Sequence, residues 1–151
     1  MEMNNYLNAT SAIVLAAGKG TRLNEGRPSD IPKVMHEICN RPMLAYTLDT
    51  LAGLGMQDII VVVGYQAEMI QEHFGPRYKY ALQSEQKGTG HAVACAQPQI
   101  DPKSKYVVVV QGDDSAFYRP QTLVDLITAC AASDAVISLL TLKHPRPAEL
   151  G

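Results

Sequence analysis

The sequence predicts an α/β protein: three layers, α/β/α, around a mostly parallel sheet. Three observations carry this. Short apolar runs rich in β-branched residues alternate with stretches of helical period, and each run ends in glycine or polar residues. The runs are apolar at nearly every position, as in strands covered on both faces. The chain has 151 residues, 46% hydrophobic and 19% charged, which suits one folded domain with a sizeable core.

Ser11–Ala17 is an unbroken apolar run ending in Gly18-Lys19-Gly20, so it reads as a strand feeding a loop. Residues 18–33 lack a sustained period and carry Gly, Pro, Asn and Asp, which marks a long loop of the kind that is functional or mobile. Pro42 stands where a helix can start; Leu44, Leu48 and Leu51 follow at helical steps, and Gly53 and Gly55 end it. Asp58–Val63 is a second strand. Ala67, Ile70 and Phe74 give a short helix stopped by Gly75-Pro76. Tyr78–Leu82 reads as a strand, the polar segment Gln83–Gly90 as a loop and His91–Gln97 as an Ala-rich helix. Lys105–Val110 is a strand ending in Gln111-Gly112-Asp113-Asp114. Leu123, Leu126, Ile127 and Cys130 form an amphipathic helix after Pro120, and Ala135–Leu142 reads as a last strand. No repeat, low-complexity tract or internal linker interrupts this order.

The charge balance is 13 Lys+Arg against 15 Asp+Glu, a net −2. Nucleic-acid binding through phosphate neutralisation needs a basic excess, so that partner is not expected. The longest apolar runs, Ile59–Val63 and Val107–Val110, are far too short to cross a bilayer, and Met1–Thr10 has no signal-peptide pattern. Cys39, Cys95 and Cys130 are widely spaced and odd in number. They read as reduced thiols, and a cytoplasmic location is expected.

The loop after the first strand places two glycines, a hydroxyl and two cations together. Gly18 and Gly20 let backbone approach a ligand closely, and their N–H groups suit phosphate oxygens. Lys19 and Arg22 add charge, Arg with a bidentate grip on phosphate. Lys33 follows, with Pro32 stiffening its approach. The segment is not a P-loop, since G-x-x-x-x-G-K-[ST] is absent, nor a dinucleotide fingerprint, since the third glycine is missing. Asp113, at a strand end, suits Mg²⁺, which takes one or two carboxylates plus phosphate oxygens and waters. Asp114 reads instead as a cap or turn residue. The segment from Gln83 to His91 supplies amides able to read a base edge; the alternative is a solvated loop with a Thr N-cap. His91 reads as a helix-start residue rather than a catalyst, and His36, His73 and His144 are isolated.

Four segments in this order resemble the motifs of the sugar-1-phosphate nucleotidyltransferases. They are Leu15-Ala-Ala-Gly-Lys-Gly-Thr-Arg-Leu23, Pro32-Lys-Val-Met-His36, Gln83-Ser-Glu-Gln-Lys-Gly-Thr-Gly-His-Ala92 and Gln111-Gly-Asp113. Within that family the likeness is to uridylyltransferase domains acting on N-acetylglucosamine 1-phosphate, and it runs from Ser11 to about Leu142. The resemblance implies a Rossmann-like nucleotide-diphospho-sugar transferase fold. It implies a reaction in which an NTP, here UTP, and a sugar 1-phosphate give an NDP-sugar and pyrophosphate with Mg²⁺. The Gly-rich loop (Leu15, Ala16, Ala17, Gly18, Gly20 and Thr21) would wrap the nucleotide. Arg22 would hold the β/γ-phosphates and Lys33 the reacting phosphates, as the catalytic pair. Gln83, Gly88 and Thr89 would read the base, and Asp113 would bind Mg²⁺. No covalent nucleophile is implied, because a sugar phosphate oxygen attacks the α-phosphorus; alignment and charge stabilisation do the work.

The family pattern continues after the Asp113 position with Val-Pro-Leu, whereas Asp114-Ser-Ala-Phe117 stands here. The family's second metal ligand and most of its sugar pocket lie beyond the part matched by residues 1–151. The expectation is therefore the N-terminal nucleotide-binding part of a nucleotidyltransferase domain, truncated at its C-terminus. The sugar-binding part and any acetyltransferase domain are expected to be absent, with the site completed by a missing C-terminal segment or by a homo-oligomer. The alternative is a non-catalytic nucleotide-binding or regulatory module on the same fold, against which Arg22, Lys33 and Asp113 argue. A dinucleotide-dependent dehydrogenase is disfavoured by the missing third glycine and by the lack of an acidic ribose ligand after Val63.

Overall fold

A computed structural model describes residues 6–18, 31–141 and 143. The elements are β1 (Thr10–Leu15), the short strands β2 (Glu37–Ile38) and β3 (Arg41–Pro42), α1 (Met43–Gly53), β4 (Ile59–Val63), α2 (Ala67–Phe74), β5 (Lys79–Leu82), α3 (Thr89–Ala96), β6 (Tyr106–Gln111) and α4 (Pro120–Ala131). Single 3₁₀ turns cover Lys33–Met35, Gly75–Arg77, Gln97–Gln99 and Asp114–Phe117.

β5, β4, β1 and β6 lie side by side in that order, and every neighbouring pair is parallel. Ala12 faces Ile59 on one side and Val108 on the other. The central strands β1 and β4 are buried on both faces, as expected for parallel strands. On one face Ala12, Val14, Val61, Val63, Val108 and Val110 pack with Leu44, Leu48 and Leu51 of α1, Ile70 of α2 and Leu123 and Ile127 of α4. On the other, Ile13, Leu15, Ile60, Val62 and Ala81 pack with Ala92 and Ala96 of α3. Small residues four apart let α3 lie close to the strands. Each fully buried Val, Leu or Ile is worth about 1.5–3 kcal/mol of transfer free energy, so these clusters dominate the fold's stability.

The chain runs from β1 outward to β4 and β5, then returns across the sheet to place β6 on β1's other side. That reversal makes a crevice beyond the carboxyl ends of β1 and β6, where open α/β sheets bind ligands.

The structure differs from the sequence reading at two places, and one is a correction. Residues 135–141 form no strand, so the run read as Ala135–Leu142 is not laddered over its described part. Val136 is 95% exposed, and Ile137 and Leu139 are also exposed. The segment flanks the outer edge of β6 around an apolar cavity of about 420 Å³ without joining it. β-branched composition favours a strand only where a neighbour supplies the hydrogen bonds. The hairpin β2–β3 is the second difference, since the sequence reading has no strands there. Its two-residue turn holds Cys39 and Asn40 at φ 51° and 61°, a conformation usually signalled by Asn-Gly.

Candidate functional site

The carboxyl ends of β1 and β6 carry two adjoining features, one on each side of the sheet. On the α3 side is a pocket of about 280 Å³, lined by Leu15, Ala17, Gly18, Gln83, Gln86, Gly88, Thr89, Ala92 and Gln111. Leu15 and Gln111 are register partners, so their side chains share that face. Six residues named from sequence meet here: Leu15, Ala17, Gly18, Gln83, Gly88 and Thr89. Ala16 does not; its side chain is buried in the cluster on the α1 side.

The loop between β5 and α3 is tied to the sheet through its amides. Gln83 donates its backbone N–H to the Val63 carbonyl at 2.8 Å. Its buried side-chain NH₂ donates to the Gly88 carbonyl at 3.1 Å and lies 3.1 Å from His91 Nδ1. Gln86 donates from Nε2 to the Ala17 carbonyl at 2.6 Å, pinning the loop over the end of β1. Gly88 precedes α3 at φ 93°, a left-handed conformation that disfavours a side chain.

On the α1 side, Lys33 and Asp113 form an ion pair. Lys33 opens the 3₁₀ turn Lys33–Met35, anchored by buried Val34 and Met35. Asp113 follows β6 and stands at the N-cap position of the turn Asp114–Phe117 without a side-chain capping bond; its side chain is only 11% exposed. Burial pushes the Asp113 carboxyl up. The hydrogen bond and charge of Lys33, with the backbone N–H groups of Asp114 and Asp113, outweigh it and hold the pKa below its ordinary value. Asp113, not Asp114, takes the N-cap position, and Asp114 is exposed.

Two buried hydroxyls that sequence reading missed set the path of this loop. Thr47 of α1 donates to the Gly112 carbonyl at 3.2 Å and lies 3.2 Å from Ser115 Oγ, which in turn donates to the Gln111 carbonyl. A Cβ at Gly112 would sit 3.1 Å from the Leu15 carbonyl oxygen and from Val34 Cγ1, so the loop passes where only glycine fits without a shift. No local signal marks Thr47 and Ser115, which are 68 residues apart.

Gly20, Thr21 and Arg22 of the Gly-rich loop lie outside the described residues. Among the described residues no cluster of three or more His, Cys, Asp or Glu could hold a metal, the three cysteines are free, and no helix is long and apolar enough to cross a membrane. Asp113 alone still fits Mg²⁺ of the shared kind, in which phosphate oxygens and waters complete the shell.

A parallel sheet with a pocket at its switch point is the frame of a nucleotide-binding α/β protein. The family model of the MobA-like NTP transferase domain matches residues 12–148, and the chain belongs to that family. It is 45% identical over 141 residues to the bifunctional protein GlmU of Symbiobacterium thermophilum, covering 93% of this chain and 29% of that protein. It is 42% identical over 139 residues to GlmU of Geobacter sulfurreducens, covering 91% and 28%. The chain thus spans under a third of the length of these relatives. Among solved structures, HddC from Yersinia pseudotuberculosis complexed with GMP-PN aligns over 68% of this chain and 47% of that one, at 30% identity and TM-score 0.59. Rv0371c from Mycobacterium tuberculosis aligns over 83% and 62% at 21% identity and TM-score 0.69, a likeness of fold alone.

Proposed function

We propose that the chain is the nucleotide-binding part of an enzyme that joins UTP and N-acetylglucosamine 1-phosphate into UDP-N-acetylglucosamine and pyrophosphate. The observation that carries the reading is the meeting of a base-sized pocket and the Lys33–Asp113 pair at the ends of β1 and β6. The four ordered motifs and the 37–45% identity to GlmU proteins support the substrates. A cytoplasmic site of action goes with this reading and with the three free thiols.

Leu15, Ala17, Gly18, Gln83, Gly88 and Thr89 hold the base and sugar of the nucleotide, with Gln83 as the base-reading side chain. Gly20, Thr21 and Arg22 belong to the same phosphate-wrapping loop. Lys33 stabilises charge on the transferring phosphate by exchanging its carboxylate partner for phosphate oxygens. Asp113 would hold Mg²⁺, which when bound neutralises phosphate charge. Residues outside this chain, from a longer polypeptide or another copy, complete the sugar site.

Equilibrium binding of the four nucleoside triphosphates to the chain, followed by pyrophosphate release with N-acetylglucosamine 1-phosphate, tests this. The expected result is preference for UTP. Equal binding of all four would remove the base-reading role. Selective UTP binding with no release by the chain or by the full-length protein would favour the non-catalytic module.

A further inference from the structure

His91 lies on α3, half-buried behind the pocket, and takes no part in the reaction as described above. Its surroundings nevertheless fix the chemistry of Gln83. The Gly88 carbonyl has no proton, so the group of Gln83 that lies 3.1 Å from it must be the NH₂. That same nitrogen lies 3.1 Å from His91 Nδ1. An NH₂ can only donate there, so Nδ1 accepts and the ring proton sits on Nε2. Nε2 points at Cys95 Sγ, 3.9 Å away, a weak acceptor one helical turn on. Both amide hydrogens of Gln83 are thereby committed within the protein. What its side chain has left for a ligand is the carbonyl oxygen Oε1.

We propose that His91 is a positioning residue that locks the Gln83 amide, leaving an acceptor for the base and so selecting a ring N–H over a ring nitrogen lone pair. Uracil and thymine offer N3–H and guanine N1–H, whereas cytosine N3 and adenine N1 are acceptors. The inference rests on the reading of Gln83 as the base-reading residue. Without the acceptor at Nδ1 the amide loses one of its two anchors. It can then turn its NH₂ to the ligand, which suits cytosine N3.

The test is calorimetric binding of UTP and CTP, with Mg²⁺, to the full chain and to His91→Leu and His91→Asn. Asparagine can present Oδ1 where Nδ1 stood; leucine cannot. Wild type should prefer UTP. His91→Leu should shrink the UTP-to-CTP ratio about fivefold to tenfold, the scale of one hydrogen bond, and His91→Asn should restore most of it. A merely structural role would weaken both nucleotides together and leave the ratio alone. An unchanged ratio in His91→Leu overturns the lock while leaving the proposed function standing. Failure of wild type to bind UTP overturns the Gln83 reading and the lock with it. Should His91→Leu not fold, ¹⁵N NMR of the wild-type ring decides without any nucleotide. A protonated Nε2 and bare Nδ1 are expected, and the opposite tautomer overturns the lock.

Discussion

Lysine–aspartate pairs stand at both ends of the sheet. At the amino end Lys79 Nζ lies 2.6 Å from Asp58 Oδ1; at the carboxyl end Lys33 pairs with Asp113. The acids are equally buried, with side chains 12% and 11% exposed. Their surroundings differ. Asp58 also accepts from the Ser11 hydroxyl and from the Asp101 N–H at 2.9 Å, so it joins β1, the start of β4, β5 and the loop before β6. Lys79 donates a further bond to the Gln99 carbonyl at 2.9 Å. Asp113 has one cation and local backbone N–H groups. An acid whose acceptors are filled from several segments is a clamp. An acid held by one lysine and its own turn can change partner when a phosphate or a cation arrives.

The largest expected effect tests the clamp. Asp58→Ala strands the Asp101 N–H, takes an acceptor from Ser11 and leaves Lys79 only the Gln99 carbonyl, so it should cost about 3 kcal/mol of stability, read by urea denaturation. Lys33→Ala, by the same measurement, should cost under about 1.5 kcal/mol, since it strands no backbone N–H and leaves Asp113 the N–H groups of its own turn. Equal losses would erase the distinction. The next effect tests the exchangeable pair. In the complete enzyme Lys33→Ala should lower kcat/KM by at least ~2 kcal/mol, roughly thirtyfold, while Lys79→Ala stays within about threefold. Turnover of Lys33→Ala within threefold of the parent would refute its phosphate role, and Arg22→Ala is expected to lose as much.

The carboxyl-end half of this contrast is legible in the sequence, and the limits of that legibility are physical. Runs such as Ile59–Val63 and Val107–Val110 announce strands because every position is apolar and β-branched. Asp113 stands out as an acid just past a strand end, and Lys33 as a further cation of the loop after the first strand, set behind Pro32. The partners of Asp58 are not foreseeable, since Ser11, Asp101 and Lys79 converge only when β1, β4 and β5 pair. The reading of Ala135–Leu142 fails for the converse reason. Its composition fits a strand, but the described residues supply no ladder for it. Thr47 is also invisible locally, one threonine in an apolar helix face. Thr47→Val keeps the shape and removes the hydroxyl, so it should cost about 1 kcal/mol of stability. It should also move the Mg²⁺ titration of turnover to higher concentration, with Asp113→Asn moving it further. An unmoved titration in both would put the metal elsewhere.

The smallest effect is on the acid side of the stability curve, where both pairs act in the same sense. Burial raises the Asp58 carboxyl, but the hydrogen bonds from Lys79, Ser11 and the Asp101 N–H, with the charge of Lys79, outweigh it, so its folded pKa is lowered. Asp113 is lowered as well. A depressed folded pKa means that the unfolded chain binds more protons as pH falls. The stabilisation from each acid is therefore whole above the unfolded carboxylate pKa, about 3.9, and is lost as pH falls through the folded value. Asp58→Asn and Asp113→Asn should each flatten that loss in urea titrations run between about pH 5 and pH 3. Pyrophosphate separates the two ends. By drawing Lys33 away from Asp113 it should reduce the flattening due to Asp113→Asn and leave that due to Asp58→Asn untouched. An identical response of both variants to pyrophosphate would mean that the carboxyl-end pair is as fixed as the clamp.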